Sequence, residues 1–419
     1  MSENQLMISV MPPVFDCIIL SGGGAKGSFG AGAVHGIQAY RELKRQESGL
    51  CLVGTSAGAL NAAVIACGGG AQDLVKFWLE VDNRKLLGPF PRWVRMRFLM
   101  GAIRRWVRLN SVPFSVYSND WLRALIRDKI RFDQLKHPLV IAATNYSSGT
   151  LKAFYYSPIL DSIVSGEIKS LAGATRPSRL KHWTKVTSQE ELEDVLLAST
   201  AIPVIFPPIS LRPTRRADEA RIPVAELYVD GGVGNHTPTP DAAIMLKELR
   251  RQGLGDVGNV FCIKQDPPTL ASSDELKLTA RGIFLRTLDV YHFIHTEYVV
   301  RGWGRINMEV KRHSERIEEF RQLVRNTDCS VEVKAAIIAE ADRLLGSPDS
   351  KGERFDSRMI AIEPSQSLGD SLDFDPKKMR ANINHGFTAA LKALKDLGKL
   401  DEHEFEVLRN RPPFQPSFK

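Results

Sequence analysis

Cysteine is scarce and unpatterned in this sequence. The five residues Cys17, Cys51, Cys67, Cys262 and Cys329 are widely spaced and form no C-x-x-C pair, which argues against a disulfide framework, a zinc ribbon or a dithiol redox motif. Most sit in apolar runs, where a thiol behaves as a small inert hydrophobe, and a reducing cytoplasm is the expected setting. Internal repeats and low-complexity tracts are also missing, so neither a repeat array nor a disordered linker is expected. The opening MSENQLMISVMPPVFD lacks a basic n-region, and Pro12, Pro13 and Asp16 interrupt its apolar run, so no signal peptide is expected. One uncharged stretch, Gly49 to Gln72, has the length of a membrane span. Gly54, Thr55, Ser56, Gly58, Asn61 and the glycines at 68 to 70 break it up, and it reads as strand, turn and helix instead.

Acidic residues are absent between Asp82 and Asp120, while Arg84, Lys85, Arg92, Arg95, Arg97, Arg104, Arg105 and Arg108 all fall there, matching the whole net charge of +8. At about 100° per residue, Trp93, Met96, Met100, Ile103 and Val107 share one helix face, with Arg97, Arg104 and Arg108 along its edge. Phe98 lies off that stripe, and Gly101 is a kink point. Basic, aromatic amphipathic helices lie well at anionic lipid interfaces. Segment 84–119 is therefore expected to be a cap or lid touching an anionic membrane surface, with Arg92, Trp93, Arg97, Arg104, Trp106 and Arg108 as candidate contacts. A cap packed over a groove, its arginines merely solvated, explains the same pattern. Nucleic acid is not an expected partner, because no recognised binding motif accompanies the charge. The oligomeric state is not legible.

Phe15 to Leu20 reads as a first strand, followed by a glycine-rich turn and a helix from about Phe29 to Leu43. Leu50 to Val53 reads as a second buried strand, with a helix from Ala59 to Cys67. This strand–helix alternation predicts a parallel sheet with helices on both faces. Further helices are expected at Asp73 to Leu86, from Asn119, at Leu192 to Ser199, at Asp241 to Gly253, over most of Asp274 to Arg325, at Val331 to Leu345 and at Pro376 to Leu397. Further strands are expected at Pro138 to Thr144, Leu227 to Val229, Asn259 to Lys264 and Arg358 to Glu363. Ser147 to Lys185 gives no clear reading. The prolines of Ala201 to Pro208 forbid a regular helix there.

Three motifs carry chemistry. Gly54-Thr55-Ser56-Ala57-Gly58 fits the G-x-S-x-G nucleophile elbow, a strained strand-to-helix turn that exposes a serine hydroxyl. Gly22-Gly23-Gly24-Ala25-Lys26-Gly27, between a strand and a helix, can supply backbone N–H groups to a developing oxyanion. It is not a Walker A loop, since Lys26 precedes Gly27 instead of preceding a serine or threonine. A dinucleotide fingerprint, with Glu42 or Glu47 as the ribose acid, would leave Ser56 and Asp230 unexplained. Asp230-Gly231-Gly232 ends a short strand and supplies a carboxylate. His236 lies just beyond it and is the best third member for a Ser–acid–His triad, followed by His292 and His295. Without H-E-x-x-H or a similar pattern, these last two read as helix-surface or core histidines, and no metal or cofactor is expected.

Together, GGGAKG at Gly22 to Gly27, GTSAG at Gly54 to Gly58, the proline-rich ASTAIPVIFPP at Ala198 to Pro208 and DGG at Asp230 to Gly232 resemble, in order, the patatin-like phospholipase family. Asn235 and Pro238 stretch that family's Asn-x-Pro pattern by one residue, and IEPSQSL with the helix from Pro376 is similar to its closing strand and helix. The resemblance covers residues 14–394 as a single domain, with 246–394 completing it and 395–419 as a C-terminal tail. It implies a three-layer α/β fold with a mostly parallel central sheet flanked by helices. It also implies a Ser56–Asp230 dyad, with Ser56 attacking an ester carbonyl and Asp230 as base. The amides of Gly23, Gly24 and Ala25 would hold the oxyanion, and Lys26 would lend its backbone and a nearby charge. A free aspartate, with a pKa of about 3.9, is a weak base unless burial raises it. The expected function is hydrolysis of fatty acyl esters of membrane phospholipids by a cytoplasmic enzyme, peripheral on a membrane. Alternatives are a general carboxylesterase, an acyl-thioesterase, or a non-catalytic membrane-associated regulatory protein of the same fold.

Overall fold

The computed structural model describes residues 13–81, 83–86, 115–156, 183–211, 225–251, 253–268, 280–345 and 359–414. The cap segment's candidate membrane contacts, Arg92 to Arg108, lie outside them. The described elements run β1 (Val14–Leu20), α1 (Gly27–Leu43), β2 (Gly49–Thr55), α2 (Ala57–Ala66), α3 (Ala71–Glu80), α4 (Asn83–Leu86), α5 (Asp120–Lys129), β3 (Leu139–Asn145), β4 (Thr150–Tyr156) and β5 (Thr184–Lys185). They continue with α6 (Gln189–Ser199), β6 (Ile209–Leu211), β7 (Glu226–Val229), α7 (Thr239–Arg251), β8 (Asp256–Ile263), α8 (Ala280–Asn326), α9 (Val331–Leu345), β9 (Met359–Ile362), α10 (Pro376–Asp396) and α11 (Glu402–Arg409).

One sheet runs β5-β4-β3-β2-β1-β8-β9, with β7 also pairing β3 and carrying β6. The pairs β1–β2, β1–β8, β2–β3, β8–β9 and β4–β5 are parallel, while β3–β4, β3–β7 and β6–β7 are antiparallel. Side chains alternate across a strand, and both faces of the central strands are apolar. Ile18, Leu20, Leu52, Ile141, Phe261 and Ile263 face one core with α1, α2 and α10. Cys17, Ile19, Cys51, Val53, Val140 and Cys262 face the other with Ala242, Met245 and Leu249 of α7 and Trp303 of α8. A strand buried on both faces reads as a continuous hydrophobic run, which is why β1, β2, β3 and β8 were recognisable. The result is the expected three-layer α/β fold.

The differences are local. Ser147 to Lys185 contains β4, whose Phe154 and Tyr155 are buried. The expected helix at Asp73 to Leu86 is divided into α3 and α4 at Val81, which is extended with ψ 125°. The stretch 395–419 carries α11, which buries Phe405 and Leu408 and is opened by a capping box between Asp401 and Glu404. Among the described residues, no helix is long and apolar enough to cross a membrane.

Candidate active site

Three strand ends converge. β2 runs into Ser56, whose φ of 54° and ψ of −125° put it in a strained backbone region. A β-carbon at Gly58 would stand 2.3 Å from the carbonyl oxygen of Leu20, so only glycine lets α2 pack this closely under β1. The strain is held by neighbours: the Ser56 N–H donates to Ser199 Oγ at 2.9 Å, and Ser199 Oγ donates to the Ala142 carbonyl at 2.7 Å. Thr55 Oγ1 donates to the Asn235 carbonyl at 2.8 Å, tying the elbow to the loop after β7.

Asp230 ends β7. Ser56 Oγ donates to Asp230 Oδ2 at 2.7 Å, and the Gly232 N–H donates to Asp230 Oδ1 at 2.6 Å. Ser56 and Asp230 are each 5% exposed. Burial pushes the Asp230 pKa up to about 7, against the lowering effect of these two hydrogen bonds.

The glycine-rich loop after β1 faces the pair, but its donors are not all free. Gly22 N–H donates to the His236 carbonyl at 3.0 Å, Ala25 N–H to the Ser371 carbonyl at 2.8 Å and Lys26 N–H to the Gly23 carbonyl at 3.1 Å. The N–H of Gly27 turns back to the carbonyls of Ala25 and Gly24. The expectation that Ala25 aims its amide at the oxyanion is therefore corrected. Among the described residues, the Gly23 and Gly24 amides take no protein acceptor, and both residues line the cavity beside Ser56 and Asp230. Gly24, with φ 57°, presses against the Ser371 carbonyl, which a β-carbon would approach to 2.1 Å.

The Lys26 ammonium is locked between Asp289 at 2.8 Å and Asp266 at 3.2 Å. Burial lowers its pKa, but the two carboxylates outweigh this and raise it. Its charge is spent on joining the loop to α8 and to the end of β8. His236 is fully buried near the pair, but Ser56 reaches Asp230 directly, so the residues do not form a Ser–His–Asp chain. His292, expected on a helix surface or in a core, stacks on His236 with ring centroids 3.9 Å apart. Among the described residues, no three His, Cys, Asp or Glu side chains are grouped to hold a metal ion.

Two cavities meet at Ser56. One is walled by Leu60, Phe77, Trp78, Leu122, Phe206 and Phe374. The other holds Asp230, His236, His292, Leu288 and Ser371. Sequence reasoning missed Ser371 and Phe374, which carry no motif and reach the site only through the fold; Ser199 stood in the proline-rich motif without a role, and His292 only as a runner-up triad histidine.

Structural comparison finds VipD from Legionella pneumophila, 15% identical, with 92% of this chain and 67% of that chain covered at a TM-score of 0.34. It also finds the ExoU–SpcU complex of the Pseudomonas aeruginosa type III secretion system, 14% identical, with coverages of 95% and 72% and a TM-score of 0.24. At these scores the likenesses carry no further conclusion. No curated protein matches the chain. The model of the patatin-like phospholipase family matches residues 18–243, more than half of the chain and the whole span from β1 through Ser56 to the Asp230 turn, and the protein belongs to that family.

Proposed function

We propose that the protein is a serine lipid acyl hydrolase that cleaves fatty acyl esters of membrane phospholipids through a Ser56–Asp230 dyad and an acyl-enzyme. The observation that carries this reading is the 2.7 Å hydrogen bond from Ser56 Oγ to a buried carboxylate, made at the mouth of an apolar cavity. Asp230 takes the serine proton as Oγ attacks the ester carbonyl. Gly23 and Gly24 donate to the oxyanion, and the N-terminus of α2 adds its positive dipole end. The tetrahedral intermediate collapses, the leaving alcohol takes the proton from Asp230, and the acyl chain stays on Ser56 in the apolar cavity. Water then releases the fatty acid.

The apolar walls favour a long acyl chain over the small acyl groups of a general esterase. The basic, aromatic cap at 84–119 favours an anionic membrane as the place where the substrate is met, with Arg92, Trp93, Arg97, Arg104, Trp106 and Arg108 at the lipid. The test is lipid analysis after incubating the purified protein with mixed phospholipid vesicles, with and without anionic lipid. Free fatty acid and lysophospholipid, released faster with anionic lipid and not by Ser56→Ala, support the reading. Release of acyl groups only from soluble esters or thioesters assigns the alternative activity, and no release from any ester leaves the non-catalytic reading.

A further inference from the structure

His236 is the buried titratable group beside the dyad that acylation does not use. It is 1% exposed, and among the described residues neither of its ring nitrogens has a hydrogen-bond partner. Leaving a buried polar group unsatisfied costs on the order of 1–3 kcal/mol, and ordered water commonly serves such groups. Nε2 faces Asp266 Oδ2 at 3.7 Å, too far for a hydrogen bond but near enough for the carboxylate to favour the tautomer protonated there. The lone pair then lies on Nδ1, the nitrogen beside Gly22 and Gly232, in a residue that lines the same cavity as Ser56 and Asp230. The point a β-carbon would occupy at Gly232 lies 3.2 Å from His236 Nδ1, 3.2 Å from His292 Nε2 and 2.9 Å from Asp230 Oδ1. These distances hold Nδ1 and Oδ1 to at most about 6 Å apart, the outer limit of what one bridging water spans.

The ring is held in place. His292 stacks on it with an interplanar angle of 11°, and Thr237 next to it is hydrogen-bonded to Thr296 of α8 at 2.8 Å. It also stays neutral: burial first, then His292, Lys26 and His295, hold His236 well below the ordinary imidazole range, and His292 is pushed down to about 4, mainly by burial. A neutral imidazole keeps a lone pair for a water hydrogen.

Resting on the dyad reading above, we propose that His236 is a further catalytic residue that holds the deacylating water, its Nδ1 accepting one hydrogen while Asp230 accepts the other. As the water oxygen bonds to the acyl carbon, the proton facing Asp230 passes to that carboxylate. The bond between Ser56 Oγ and the acyl carbon then breaks, and Oγ takes the proton back from Asp230. The second water hydrogen leaves on the fatty acid, and His236 remains neutral throughout. His292 is a positioning residue that fixes the ring.

The experiment is burst kinetics with p-nitrophenyl butyrate. His236→Phe keeps a stacked ring and removes both nitrogens. The expected result is a retained burst of p-nitrophenolate and an unchanged kcat/KM, with kcat and KM falling together by about a hundred-fold, the scale on which a misplaced reactant slows a step. His236→Asn, which keeps a short polar side chain, is expected to show the same split with a fall of about ten-fold. It decides the matter if His236→Phe does not unfold cooperatively. An unchanged kcat, or a kcat/KM that falls as far as kcat, overturns the assignment. A burst that survives in Ser56→Ala overturns the dyad reading itself. A burst lost in Ser56→Ala beside an unchanged kcat in the His236 variants overturns only the water site.

Discussion

Ser56 Oγ donates straight to Asp230 Oδ2 at 2.7 Å, while the other carboxylate oxygen is held by the Gly232 amide at 2.6 Å. This places a carboxylate where many serine hydrolases use an imidazole. A free aspartate is too weak a base for that role at neutral pH, and burial supplies the correction by raising Asp230 to about 7. In the proposed dyad such a base is poised near its working pH.

That value sets the pH dependence. The proposed dyad requires ionised Asp230, so kcat/KM is expected to fall about ten-fold per pH unit below pH 7 and to level off above it. Stability runs the other way. Because the native pKa is raised from 3.8 to about 7, the folded protein binds a proton that the unfolded chain has released, and this contribution is lost as pH rises through that window. Asp230→Asn is expected to abolish hydrolysis and, near pH 8, to raise stability by roughly 1–4 kcal/mol. Thermal melts of both proteins at pH 5 and pH 8 check the sign, since the gain belongs to the higher pH.

Ser199 holds the elbow from below. Ser199→Ala leaves the Ser56 N–H without its acceptor in a buried site, at a cost of about 1–3 kcal/mol. The strained turn is then less firmly held, and kcat on a soluble ester is expected to drop at least about ten-fold while Ser199→Thr keeps most of it. Denaturant melts with parallel kinetics read both effects.

The site's two chemical ends were legible because each is a local device. Gly54 to Gly58 and Gly22 to Gly27 are turns whose glycines answer close approaches, of backbone at Gly24, Gly54 and Gly58 and of side chains at Gly22, Gly23 and Gly27, and Asp230 is marked by its own Gly-Gly. The central strands were legible because they are apolar on both faces. The role of Ser199 was not, although it stands in the proline-rich motif: it comes from the register that brings Ala142 and Ser56 to either side of it. His292 and Ser371 come from α8 and the loop after β9, beyond the family match at residues 18–243, and helix periodicity does not say which turn of a helix faces a site. Ala25 was misassigned for the same reason: the Ser371 carbonyl that takes its amide is distant in sequence.

The apolar cavity makes a chain-length prediction. Leu60 lines it one turn beyond Ser56 on α2. Leu60→Trp fills part of that cavity, and hydrolysis of a sixteen-carbon ester is expected to fall about ten-fold or more while a four-carbon ester is cleaved at nearly the native rate. A homologous series of p-nitrophenyl esters measures it. An equal loss across the series would place the acyl chain elsewhere.

The central claim is that Ser56 carries the acyl group. Intact-protein and peptide mass spectrometry after rapid acid quenching of the protein with a long-chain p-nitrophenyl ester tests it directly. One acyl adduct per chain is expected, confined to the peptide that contains Ser56 and absent from Ser56→Ala, which releases no fatty acid. Continued hydrolysis by Ser56→Ala, or an adduct on a different residue, would contradict it.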